Sequence, residues 1–229
     1  VTASIEVAWV DLDPGASEVR ALARLLSDDE RARVATRATS ALRRRATVSL
    51  ARRRVLAADV LATTPSAVEL RVLPDGRRAA VGPRSGPIAI SVATSADTGL
   101  VAVASSGSVG VDVEDFAGRP STDEFVARVA SPAERTQLES RDDRDRALLA
   151  LWTRKEAYLK AIGEGIGANL RRVEVPLDAG AWALRWRPAD GATWYLFDLD
   201  CPRPGLAAAV VAGPATTSED LPTLRVRPG

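Results

Sequence analysis

Trp152-Thr153-Arg154-Lys155-Glu156-Ala157-Tyr158-Leu159-Lys160, followed by Ala161-Ile162-Gly163-Glu164-Gly165, is the stretch around which the chain is organised. It is rich in good helix formers, free of proline, and followed by glycine, which predicts a helix with a stop. At 3.6 residues per turn Trp152, Glu156 and Lys160 share a stripe, with Leu148, Leu151, Leu159 and Ile162 on the adjoining apolar one. Glu156 and Lys160, one turn apart, read either as a helix salt bridge or as a chemically active carboxylate and ammonium.

Forty residues upstream lies Val109-Gly110-Val111-Asp112-Val113-Glu114-Asp115. On a strand, alternation puts Asp112 and Glu114 on the same face. Carboxylates in so apolar a run need a partner or a cation. With Glu156 they would form an oxygen-rich site suited to Mg²⁺, which takes few protein carboxylates and fills its remaining positions with water and phosphate.

The chain has 229 residues, 46% of them hydrophobic, and a formal net charge of +1, which describes a soluble globular protein large enough for one domain or two small ones. Nothing in that balance implies nucleic acid, and no apolar run is long enough to span a bilayer. Val1-Thr2-Ala3-Ser4-Ile5 lacks the pattern of a signal peptide, and the single cysteine, Cys201, forms no internal disulfide and reads as a packing thiol. A reducing, cytoplasmic location is expected. The chain has no histidine, which removes Ser-His-Asp and Cys-His catalysis and leaves acid–base work to Asp, Glu, Lys or Tyr.

Strands are expected at residues 5–10, 68–72, 88–92, 100–104 and 109–115, the middle ones suggesting a largely antiparallel sheet. Further strands are read at 170–175, 182–186, 194–199 and 206–211. A basic helix from about Ala41 to Ala62 carries Arg43-Arg44-Arg45 and Arg52-Arg53-Arg54. Each triplet fans over about 200° of the helix, so the six cannot all face one partner. They read either as a solvated face or as a subset that meets phosphate or an acidic protein. Ser27-Asp28-Asp29-Glu30 and Ser131-Pro132-Ala133-Glu134 are two capping-box starts, each followed by a longer helix. The echo suggests two similar halves, 1–108 and 109–213, and the polar, Pro-containing tail at 214–229 reads as loosely held.

With these motifs in hand, the chain resembles the surfactin-type 4′-phosphopantetheinyl transferases over about residues 5 to 212. The matching pieces are Gly110-Val111-Asp112-Val113-Glu114, the Trp152–Lys160 helix, Gly163-Glu164-Gly165-Ile166, Ser131-Pro132-Ala133-Glu134 and the Arg-rich helix ending Arg53-Arg54-Val55-Leu56. The resemblance implies an α+β pseudo-dimer of two related subdomains, with coenzyme A in the cleft between them. It also implies the reaction: the serine of an acyl or peptidyl carrier protein attacks the β-phosphate of coenzyme A, releasing 3′,5′-ADP. By the same resemblance Asp112, Glu114 and Glu156 hold Mg²⁺, Glu156 accepts the serine proton, and Lys160 neutralises or protonates the leaving phosphate. Arg53, Arg77, Thr94 and Lys155 fall at cofactor-binding positions. A monomer is implied, since the halves already supply the pair of subdomains. Members usually carry a Ser-His pair where Ala93-Thr94 stands, a proline where Arg78 stands, and an arginine at Ser49. These departures raise an alternative: a relative that no longer uses coenzyme A and instead processes or binds a carrier-tethered or other substrate.

Overall fold

Alternating apolar residues build two sheets, and two long helices cover their outer faces. The computed structural model describes residues 4–116, 122–164, 169–177, 184–186, 191–214 and 221–228. In chain order the elements are β1 (Ser4–Asp11), α1 (Ala16–Ala23), α2 (Asp28–Ala35), α3 (Ser40–Val60), β2 (Glu69–Val72), β3 (Arg78–Val81), β4 (Ile88–Ser95), β5 (Thr98–Ala104) and β6 (Ser108–Asp115). There follow α4 (Asp123–Val129), α5 (Pro132–Glu139), α6 (Arg144–Ile162), β7 (Leu184–Trp186), β8 (Trp194–Asp198), β9 (Leu206–Gly213) and β10 (Thr223–Arg227). The protein is thus of mixed α+β class. No described helix is long and apolar enough to cross a membrane.

One sheet has six strands in the order β10-β1-β5-β4-β3-β2, the other four in the order β6-β9-β8-β7. All pairings are antiparallel except β1 with β10. Strand alternation explains the layering. Ile5, Val7, Leu100, Ala102 and Ala104 of the first sheet pack against Val109, Val111, Val113, Phe197 and Val210 of the second. Val10, Val101 and Val103 point the other way, into a core with Val48, Ala51 and Leu56 of α3. The opposite face of the second sheet packs on Leu148, Leu151, Ala157 and Leu159 of α6. The order of layers is therefore α3, six-stranded sheet, four-stranded sheet, α6.

Strands β4 and β6 join the sheets through side chains. Ser91 Oγ accepts from the Val111 N–H at 3.0 Å, and Ser95 Oγ from the Asp115 N–H at 3.1 Å. These serines satisfy edge donors that the second sheet leaves unpaired. A Ser91→Ala change strands the buried Val111 N–H, and urea denaturation should show a loss of about 1–3 kcal/mol. A second seam is backbone on backbone. Gly163 ends α6 in the left-handed region (φ 84°), and a Cβ there would lie 2.2 Å from the Asp75 carbonyl oxygen. Only glycine tolerates both the conformation and the approach.

One polar device occurs twice. In α2 the Ser27 side chain and Glu30 form a capping box, and Glu30 also accepts from Arg54 Nε of α3 at 2.8 Å. Arg54 then donates to the carbonyls of Pro65 and Val68. In α5 the box is Ser131 with Glu134, and Glu134 accepts from Lys155 Nζ of α6 at 2.5 Å. Lys155 also donates to the carbonyls of Val129 and Leu170. Each capping carboxylate is thus a buried anchor for the long helix that follows it.

Two expectations are corrected. Residues 170–175 form no strand: Leu170–Arg172 is a 3₁₀ turn, started by Asn169, whose side-chain oxygen accepts from the Arg171 N–H. That local bond competes with extension. The 214–229 tail is not simply loose, because Thr223–Arg227 adds β10 in parallel to β1. Arg225 and Arg227 there reach Glu6 at 3.4 and 3.1 Å, and Arg227 also pairs with Asp59. Residues 215–220 and 229 of that tail, Trp182 of the expected 182–186 strand, and Gly165-Ile166 lie outside the described residues.

Candidate active site

The site grows from the contact of β6 with α6. Val109, Val111 and Val113 face the first sheet, so Gly110, Asp112 and Glu114 face the helix. Gly110 sets the distance: a Cβ there would lie 1.8 Å from the Ala157 carbonyl oxygen and 2.6 Å from the Ala161 nitrogen. Because the strand meets bare helix backbone, the acidic side chain two residues on reaches the end of α6. Lys160 Nζ donates to Asp112 Oδ1 at 2.6 Å and to the Val111 carbonyl at 3.2 Å.

Asp112 is 4% exposed, and its second oxygen, Oδ2, is buried without a hydrogen-bond partner. Burial pushes its carboxyl up to about 7; Lys160 pulls against that rise, and the charges of Glu114 and Glu156 add to it. The two glutamates are therefore electrostatic neighbours of Asp112, and the locality is short of positive charge. The expected three-carboxylate set is nevertheless not preassembled: among the described residues no three acidic or thiol side chains are gathered closely enough to hold a metal ion. The partner that Asp112 has is the Lys160 ammonium. The orphaned Oδ2 and the all-oxygen donors do fit a hard cation such as Mg²⁺.

A cavity of about 490 Å³ lies on the α3 side of the six-stranded sheet, walled by residues of the first half alone. Arg33, Arg37, Arg45, Arg53, Arg71 and Arg78 line it, with Ser49 and Thr94. Arg45, Ser49 and Arg53 are spaced by four, forming one stripe of α3. The Nε atoms of Arg45 and Arg53 are buried without partners. Burial first, then the charge of Arg78, pulls Arg53 down to about 10, with Glu30 opposing. Guanidinium groups so crowded call for an anion. Strand β4 serves both places: Thr94 lines the cavity, while Ser91 and Ser95 hold β6.

The residues marked in the sequence thus divide. Asp112, Glu114, Glu156 and Lys160 are neighbours, and Arg53 and Thr94 meet in the cavity. Arg77 does not join them. It lies just before β3, where its guanidinium pairs with Asp75 of the preceding turn at 2.6 Å and donates to Ser108 Oγ at 2.5 Å, while Arg78, the first residue of β3, lines the cavity. Lys155 is also corrected. Fully buried against Glu134 and two carbonyls, it has no surface to offer a cofactor, and burial pulls its ammonium below the usual lysine value despite Glu134. Of the basic helix, Arg44 pairs with Asp13, Arg52 with Glu18 and Arg54 with Glu30. The sequence reading passed over Arg33 and Arg37, and left Arg45 undistinguished among the six arginines of the basic helix. Their signal was spacing by four, Arg33 with Arg37 and Arg45 with Arg53 through Ser49. Cys201 is half-buried, its thiol pushed up to about 11 by burial and the nearby Asp200 and Asp198, which keeps it protonated and inert at neutral pH.

Residues 108–211 match the model of the 4′-phosphopantetheinyl transferase superfamily. The chain is 30% identical over 209 residues to the 4′-phosphopantetheinyl transferase HetI of Nostoc sp., covering 89% of this chain and 86% of that protein. A Synechocystis sp. protein named for 4′-phosphopantetheinyl transfer is 33% identical over 147 residues, 62% of this chain and 59% of its own length. A phosphopantetheinyl transferase of Thraustochytrium sp. is 30% identical over 166 residues, 67% of this chain and 58% of its own. The chain thus spans somewhat over half the length of two of these relatives and most of the third.

Proposed function

The chain belongs to the 4′-phosphopantetheinyl transferase superfamily, and from that premise we propose that it moves the 4′-phosphopantetheine arm of coenzyme A onto a serine of an acyl or peptidyl carrier protein. The observation that carries the reading is the pairing of Asp112 with Lys160, electrostatically coupled to Glu114 and Glu156, on a strand that shares β4 with an arginine-lined cavity.

Arg45, Arg53 and Arg78, helped by Ser49 and Thr94, would bind the phosphates at the nucleotide end of coenzyme A. They stand in for the family's missing histidine and proline. Asp112, Glu114 and Glu156 would hold Mg²⁺, whose contribution when bound is to neutralise the diphosphate and orient its oxygens. Glu156 would take the serine proton, directly or through water. The serine oxygen then bonds to the β-phosphorus as the bond to the α-phosphate oxygen breaks. Lys160 would neutralise or protonate that oxygen as 3′,5′-ADP leaves. Positioning and charge neutralisation are most of what phosphoryl transfer asks of a protein.

The repeated anchor, Ser27-Glu30-Arg54 and Ser131-Glu134-Lys155, supports descent from a duplicated half, and hence a pseudo-dimer working as a monomer. The carrier would be met through basic surface such as the outer face of α3.

Incubation with coenzyme A, Mg²⁺ and a panel of acyl and peptidyl carriers should add the arm to a carrier serine, read by intact-mass spectrometry. Arg53→Ala should weaken coenzyme A binding about ten- to hundredfold, the worth of a charge-assisted phosphate contact. A folded chain that modifies no carrier and binds no coenzyme A in calorimetry would instead favour the relative that has changed its substrate.

A further inference from the structure

Resting on the reading of Asp112, Glu114 and Glu156 as divalent-ion ligands, we infer that Lys160 is the resident cation of that site. Its ammonium holds the seat on Asp112 that a divalent ion would take, and yields it when one arrives. Three observations carry this. First, the ammonium is the cation that Asp112 has: Lys160 Nζ donates to Oδ1 at 2.6 Å, while Oδ2 is buried without a hydrogen-bond partner. Second, among the described residues the three carboxylates do not form a ready-made metal site. Third, the Lys160 side chain is 26% exposed against 6% for Asp112, so the lysine is the more solvent-accessible member of the pair.

The residue type fits such a handover. Lys155 and Lys160 are the only lysines in a chain whose other cations are arginines. A guanidinium would grip the carboxylate through two parallel bonds, whereas an ammonium is a compact charge on a flexible stem. The second bond, to the Val111 carbonyl at 3.2 Å, gives Nζ a foothold on β6 when it leaves Asp112. The displaced charge stays beside the site, where a diphosphate oxygen can receive it. Until then the ammonium spares the fold an unpaired buried carboxylate.

The test is Mn²⁺ binding to the full chain without coenzyme A or carrier, followed by electron paramagnetic resonance of the free ion. Lys160→Gln should bind Mn²⁺ about tenfold or more tightly than the parent, within the usual range for two linked ligands. It should also melt lower than the parent without metal and regain more on adding Mn²⁺. Lys160→Arg, which keeps a cation in the seat and grips it through two bonds, should bind Mn²⁺ no more tightly than the parent. Equal or weaker Mn²⁺ binding by Lys160→Gln overturns the inference. So does a Lys160→Gln chain that stays unfolded with Mn²⁺, or equal tightening by Lys160→Arg. Asp112→Asn separates the two levels. If it leaves Mn²⁺ binding of the parent unchanged, or if the parent and Lys160→Gln both fail to bind Mn²⁺, the carboxylate reading falls and the inference with it. If Asp112→Asn abolishes binding but Lys160→Gln does not tighten it, only the inference falls.

Discussion

An alanine at position 110 is expected to destabilise the protein by about 3 kcal/mol or more, at or beyond the upper end for overpacked sites. The added methyl would sit 1.8 Å from the Ala157 carbonyl oxygen, and 2.6 Å from the Ala161 nitrogen. Both are helix backbone, so no side chain can rotate away. Either β6 or the second half of α6 must retreat by more than an ångström. That half carries Lys160, whose 2.6 Å bond to Asp112 depends on the close approach. Denaturant unfolding should show the lost stability. Transfer activity should fall further than the unfolded fraction explains. A Gly110→Ala protein with parental stability would mean that the β6–α6 contact is looser than described.

Lys155→Met should cost about 3–5 kcal/mol, the usual result of removing one partner from a buried ion pair. Among the described residues, Glu134 would keep its charge with the N–H groups of Ser131 and Val175 as its remaining hydrogen-bond donors. Adding Glu134→Gln to Lys155→Met should recover part of the loss, because a neutral amide is far cheaper to bury than an unpaired carboxylate. Folded Lys155→Met should bind coenzyme A with parental affinity, since the ammonium spends all three donors on Glu134, Val129 and Leu170. Loss of coenzyme A binding with stability intact would return Lys155 to the substrate site.

What could be read from the sequence follows from local periodicity. The period of two put Asp112 and Glu114 on one side of a strand, and the period of 3.6 put Glu156 and Lys160 on one stripe of a helix. Both patterns are local, and neither depends on what lies opposite. The identity of the cation at Asp112 does depend on that, and an intrahelical Glu156–Lys160 pair looked equally good from spacing alone. Lys155 misled for a related reason. A helix turns about 100° per residue, so the neighbour of a site-facing glutamate can point into the core. Only the presence of α5, with Glu134 at its start, makes that core hospitable to an ammonium. Arg77 and Arg78 show the same limit at the start of a strand, where a shift of one residue exchanges cavity for seam. The capping boxes were legible as helix starts. Their second use, as buried anchors for α3 and α6, rests on partners 24 and 21 residues away.

The parallel pairing of β10 with β1 has a consequence for how the protein is made. Glu6 and Arg225 are 219 residues apart in sequence. During synthesis β1 emerges about two hundred residues before its outer neighbour and waits for it until both sheets' other strands have been translated. Through that interval it presents an open strand edge, with Glu6 lacking its arginine partners. Such an edge invites pairing with another chain. Crowding of nascent copies on one message, more than the stability of the finished protein, is then the circumstance in which misassembly would begin.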